Sequence, residues 1–160
     1  MMMHRIEGDV EIFDTAGGVT ISRSRIATAY ASAIDSYVDG LDERRGAVFS
    51  SNYEYPGRYT RWDTAIIDPP VVITSNGRHM TIEALNKRGE ILLRPIHKAV
   101  SALAEVSISA AGATKLDLEI ALPSRPFTEE ERSRIPSVFT VLRGIVALFF
   151  SEEDANLGLY

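Results

Sequence analysis

Residues 71–85 read VVITSNGRHMTIEAL, and this segment decides how the rest of the chain folds. Two β-rich runs flank Asn76-Gly77, the pair favoured by tight primed turns because asparagine and glycine tolerate a positive φ. A turn of this length joins only antiparallel strands. The segment therefore predicts a hairpin, and with it an antiparallel sheet. Downstream, GEILL (89–93) reads as a further strand of the same meander, and Pro95 to Leu103 carries a helical pattern. EVSISA (105–110) and KLDLEIAL (115–122) read as strands, the second with strict apolar and polar alternation. Upstream, Val10 to Phe13 and Val19 to Ser22 form a hairpin around Gly17-Gly18. GAVFSSN (46–52) is an apolar run that turns polar, as a strand does when it ends at an edge or a pocket. GRYTRWDTAIIDPP (57–70) alternates, becomes apolar, and is ended by Pro69-Pro70.

Helical signals lie between these strands. Ile26, Tyr30, Ile34, Tyr37 and Val38 recur at helical spacing, which predicts a helix over 25–39 with Ser24 as its cap and Gly40 as its stop. Thr128 with Glu131 is a capping-box pattern. Pro136 then either kinks that helix or restarts it. Val138, Leu142, Ile145 and Phe149 form its buried stripe, with Phe139, Val146 and Phe150 beside them. The expected fold class is α+β, mainly antiparallel sheet with flanking helices, in one domain over residues 1–160.

Composition narrows the function. The chain of 160 residues is 45% hydrophobic, enough for a real core. Its net charge of −5 argues against a general nucleic-acid binder. With no cysteine there is no disulfide, thiol nucleophile or cysteine-zinc site, which fits a cytoplasmic protein. Val138 to Phe150 is too short and too interrupted to span a membrane, and the start lacks the apolar core of a secretory signal. The apolar, strand-like ending LGLY (157–160) reads as a chain that lacks its natural continuation.

Catalytic signatures are missing. There is no phosphate-binding Gly-x-x-x-x-Gly-Lys loop and no Gly-x-Ser-x-Gly elbow. His4, His79 and His97 show no metal-ligand spacing, and the acids of 129–131 and 152–154 read as a first helical turn and a solvated loop. One segment stands out: SSNYEYPGRYTRWD (50–63) holds three of the six tyrosines, the tryptophan and two arginines. Arg58 and Arg61 with Tyr59 and Trp62 could bind nucleic acid, but strand alternation splits them between two faces. Arginines paired with acids and aromatics packed on the core is a second reading. A small-ligand pocket is the third: Ser50 and Ser51 end an apolar strand, where hydroxyl and backbone groups can hold a zwitterion against an aliphatic wall such as Val48.

The blocks RRGAVFSSNYEYPGRYTRWDTAIIDPP (44–70), GRHMTIEALNKRGEILL (77–93), FTEEERSRIPSVFTVLRGIVALFF (127–150) and LGLY (157–160) resemble, in order and spacing, the N-terminal part of anthranilate synthase component I. The likeness is strongest to the long fused form that carries its own glutaminase domain. The resemblance implies part of a sandwich of antiparallel sheets flanked by helices. It implies a family that makes anthranilate and pyruvate from chorismate, with ammonia from glutamine and a magnesium ion, and that tryptophan inhibits by binding the N-terminal part. Val48, Phe49, Ser50 and Ser51 align with the usual inhibitor motif Leu-Leu-Glu-Ser. Ser51 matches the motif serine, and Ser50 stands where the glutamate would be. Arg61 falls near a basic residue that lines the site in part of the family. The inhibitor-site residues implied are thus Val48, Ser50, Ser51 and Arg61, with L-tryptophan as the ligand and the chorismate-binding and glutaminase domains as partners. The chain has no positions matching the chorismate and magnesium residues, so the resemblance carries over no catalytic residue and places no cofactor here. Aminodeoxychorismate synthase, a stand-alone tryptophan-binding module and a nucleic-acid binder are the alternatives.

Overall fold

Short alternating runs separated by glycine turns give strands, and longer apolar stripes at helical period give helices. The computed structural model describes residues 5–7, 10–24, 26–27, 30–50, 63–122, 128 and 135–152. In chain order the elements are β1 (Arg5–Glu7), β2 (Val10–Asp14), β3 (Thr20–Ser24), α1 (Tyr30–Gly40), β4 (Gly46–Ser50), β5 (Asp63–Ile67), β6 (Val71–Asn76), β7 (His79–Ala84), α2 (Lys87–Ser101), β8 (Val106–Ala111), β9 (Lys115–Ile120) and α3 (Val138–Phe149). Every strand pairing among the described residues is antiparallel, in sheets ordered β1-β2-β3, β4-β5 and β6-β7-β9-β8. The fold is α+β. Its two compact units are Met1–Arg25 with Pro70–Tyr160, and Ile26–Pro69.

In the first unit the 71–85 segment closes as a hairpin one residue later than Asn76-Gly77 suggests. Asn76 pairs with His79, so Gly77 and Arg78 are the central residues. Gly77 has φ +61° and Arg78 does not have a positive φ. Glycine at the first central position is the type II′ placement. The Arg78 guanidinium turns back, and its Nη1 donates to the carbonyls of Ala121 (2.7 Å) and Pro136 (3.0 Å). It thereby ties the turn to the chain leaving β9 and to the entry of α3.

Alternation in β7 and β9 gives the sheet its two faces. Met80 pairs with Leu118 and Ile82 with Leu116, and all four are buried. Against them pack Leu93, Ile96 and Val100 of α2 and Val141, Ile145 and Leu148 of α3. On the polar face the Thr81 hydroxyl donates to Asp117 Oδ1 at 2.7 Å, and Lys115 Nζ lies 3.1 Å from Asp117 Oδ2. These contacts, the Thr81 hydrogen bond first, hold the Asp117 carboxyl below its ordinary value of 3.8. A depressed carboxylate contributes stability that is complete above the ordinary value and lost as pH falls through the lower folded value. Asp117→Asn should therefore flatten the acid limb of urea midpoint against pH below about 4, where the wild type declines.

GEILL is not a strand: it lies inside α2, a correction to the sequence reading. The Asn86 side chain caps the helix by accepting from the Gly89 N–H at 3.2 Å. Gly89, Leu93, Ile96 and Val100 are buried at helical period, whereas Ile91 is 68% exposed. A strand would have put Ile91 and Leu93 on one face. Pro95 sits within the helix rather than opening it.

The first helix also starts later than expected. Ser24 pairs with Val10 as the last residue of β3, so its backbone serves the sheet and it does not cap a helix. Ile26 is 86% exposed ahead of α1, which begins at Tyr30 and ends at Gly40 as the sequence predicts. Arg23 holds β3 to β2: its Nη2 donates to Glu11 at 2.7 Å and its guanidinium stacks 5.0 Å from the Phe13 ring centre.

α3 starts after Pro136, with Ser137 at the cap position and its N–H donating to the Thr140 hydroxyl at 3.1 Å. Its buried stripe is Val141, Ile145 and Leu148, with Val138, Leu142 and Phe149 flanking, while Phe139, Val146 and Phe150 are exposed. Backbone N–H groups of the β2–β3 turn satisfy its last carbonyls: Ala16 donates to Phe150 and Gly17 to Leu148, at 2.8 and 3.0 Å. The helix start expected at 128–131 and the LGLY ending lie outside the described residues, apart from Thr128 itself. Among the described residues no helix is long and apolar enough to cross a membrane.

Candidate ligand site at the end of β4

The second unit holds α1, β4 and β5. GAVFS forms β4 because its apolar residues cover both faces of a short ladder with DTAII. The register pairs Gly46 with Ile67, Val48 with Ala65 and Ser50 with Asp63. Strand periodicity then places Val48, Ser50, Asp63 and Ala65 on one face, and Phe49 and Ile66 on the other. Phe49 is 64% exposed and Ile66 47%, whereas Val48 and Ala65 are half-buried.

The two ends of this ladder are locked differently. At one end Arg44 pairs with the Asp68 carboxylate through both Nε and Nη2, and the Asp68 N–H donates to the Arg45 carbonyl at 2.8 Å. Asp68 has φ +50°, a left-handed conformation that aspartate tolerates better than most residues. Its hydrogen bond to Arg44 raises the guanidinium above its ordinary value. At the other end the Ser50 hydroxyl donates to Asp63 Oδ1 at 2.6 Å.

Of the four residues the sequence singles out, the structure thus places Val48 and Ser50 on one face of β4. Ser51 and Arg61 lie outside the described residues, as do Tyr59 and Trp62. Asp63, the cross-strand partner of Ser50, is not among the residues that the sequence singles out. Its signal was the pairing of GAVFS with DTAII, which sets an acid opposite the serine where the apolar strand turns polar.

Elsewhere, in the first unit, a hollow of about 250 Å³ between α2 and the β8–β9 turn is floored by Leu93 and Leu116 and edged by Arg94 and His97. It contains none of the residues that the sequence singles out. Among the described residues no three histidine, aspartate or glutamate side chains come together to hold a metal ion.

No family model matches the chain, and no solved structure matches it. Among characterised proteins it is similar to the anthranilate synthase of Azospirillum brasilense, 42% identical over 148 residues. That alignment takes in 92% of this chain but only 20% of the relative. An identity of that level, sustained over nearly every element described above, agrees with the resemblance carried by the sequence blocks. Along almost its whole length, this chain is a relative of one part of an anthranilate synthase.

Proposed function

We propose that this chain is the tryptophan-sensing, N-terminal part of an anthranilate synthase, acting in the cytoplasm. The observation that carries this reading is the 42% identity to an anthranilate synthase over 92% of the chain. The end of β4 supports it chemically. An aliphatic wall at Val48 sits on the same face as the hydroxyl of Ser50 and the carboxylate of Asp63. That combination suits an amino acid, which needs an apolar surface for its side chain and polar partners for its charged end. Ser51 and Arg61 complete the proposed site, Ser51 through its hydroxyl and Arg61 as a partner for the ligand carboxylate.

In the complete protein the reaction is chorismate and glutamine to anthranilate, pyruvate and glutamate, the opening step of tryptophan biosynthesis. Its chemistry resides in the chorismate-binding and glutaminase domains, and this chain alone does not catalyse it. Its role is regulatory: tryptophan bound here reports the level of the pathway's end product. Ser51→Phe fills the site and should abolish tryptophan binding in a calorimetric titration while leaving the far-UV circular dichroism unchanged. Undiminished affinity in that variant would remove Ser51 from the site.

A further inference from the structure

We propose that the hollow between α2 and the β8–β9 turn is a second ligand site, one that takes a small carboxylic acid carrying a single apolar ring. It lies in the first unit and shares no residue with the end of β4. Its volume is about 250 Å³. An aliphatic cavity of roughly 150 Å³ holds a benzene molecule, so one ring with its carboxylate has room here. Glu90, Leu93, Arg94 and His97 follow one another at intervals of three, one and three residues, so α2 presents them on one face. Leu93 and Leu116 are buried and form the floor. The opposite rim is Gly112 and Ala113, whose side chains are too small to fill the space. The Gly112 N–H donates to the Lys115 carbonyl at 2.8 Å, which fixes that rim in place.

Charge selects the ligand. Glu90 is the acid on the rim, and Lys87 Nζ lies 3.0 and 2.9 Å from its two carboxylate oxygens. The lysine thus offsets that negative charge. Among the described residues Arg94 pairs with no acid, and no hydrogen bond uses the His97 ring. A guanidinium presents a planar fork that fits a carboxylate through two parallel N–H bonds, and an imidazole adds a further donor beside it. The floor decides what the carboxylate is attached to. A ring that covers Leu93 and Leu116 removes apolar surface from water, a gain that phosphate or another fully hydrated anion does not share. The hollow therefore favours an acid whose ring lies on the leucines while its carboxylate stays at the rim with Arg94.

Titration of the isotope-labelled chain with sodium benzoate, followed by amide proton–nitrogen shifts, tests this. Benzoate should saturate with a Kd on the order of 1 mM, with the largest shifts at Arg94, His97, Gly112 and Ala113. Benzyl alcohol keeps the ring without the carboxylate, and acetate keeps the carboxylate without the ring. Each should bind at least about fivefold more weakly. Arg94→Gln, at an exposed position, should weaken benzoate by about fivefold to tenfold and abolish its preference over benzyl alcohol. Shifts that stay linear to about 20 mM or scatter over the surface overturn the proposal. So does acetate binding as tightly as benzoate, which leaves only an anion at Arg94, or an Arg94→Gln protein that binds benzoate as the wild type does. Ser51→Phe should leave benzoate binding unchanged, and a loss there moves benzoate to the amino-acid site and overturns the assignment. A chain that binds tryptophan and not benzoate keeps the amino-acid reading and loses this one.

Discussion

Gly89→Ala should destabilise the protein by about 3 kcal/mol, lowering its melting temperature by on the order of 10 °C. The direction is diagnostic, because helix propensity alone would favour alanine here by roughly 1 kcal/mol. Gly89 lies in the first turn of α2, where the helix presses on the strands beneath. A Cβ at this position would sit 2.0 Å from the Pro70 carbonyl oxygen and 3.0 Å from the Ala84 Cα. Neither is the end of a flexible side chain. The Pro70 carbonyl already accepts the Leu85 N–H at 2.8 Å, so it is held in place. The helix would have to lift, drawing Leu93 and Ile96 out of the core. A urea midpoint equal to or above that of the wild type would show that α2 does not approach the strands this closely.

Ile96→Ala should cost about 2–5 kcal/mol, the range for emptying a fully packed aliphatic site. Ile96 is fully buried among Met80, Ile82, Leu116 and Leu118 of the sheet and residues of α3. Ile91→Ala, on the same helix, should stay within about 0.5 kcal/mol, because Ile91 projects into solvent. Urea unfolding of the pair checks more than packing. It fixes the register of α2, since a strand through GEILL would have made Ile91 face the same side as Leu93.

These two positions also show where the sequence was hard to read. A five-residue apolar run looks the same in a strand and in a buried helix. The stripe that settles α2 runs through Gly89, Leu93, Ile96 and Val100 and is interrupted by Pro95, so both residues that propensity assigns to helix breaks lie within it. Burial against the sheet outweighs that local preference. The start of α1 misled for the opposite reason: Ile26 continues the helical spacing by chance, while ladder pairing with Val10 commits Ser24 to β3. Where turn chemistry and alternation agree, the reading was sound. KLDLEIAL became β9 with Leu116, Leu118 and Ile120 buried, and the 71–85 hairpin formed with its glycine shifted by one place in the turn.

The candidate site divides along the same line. The strand that carries Val48 and Ser50 was legible because an apolar run that turns polar announces its own end. Asp63 was not, because its position opposite Ser50 depends on the register between two segments separated by twelve residues, 51–62. Single-strand periodicity carries no information about a partner strand.

Isothermal titration of L-tryptophan into the 160-residue chain tests the central claim most directly. Saturable binding of one tryptophan per chain, lost in Ser51→Phe, is the predicted result. A chain that shows the circular dichroism of a folded α+β protein and yet binds no tryptophan would contradict it.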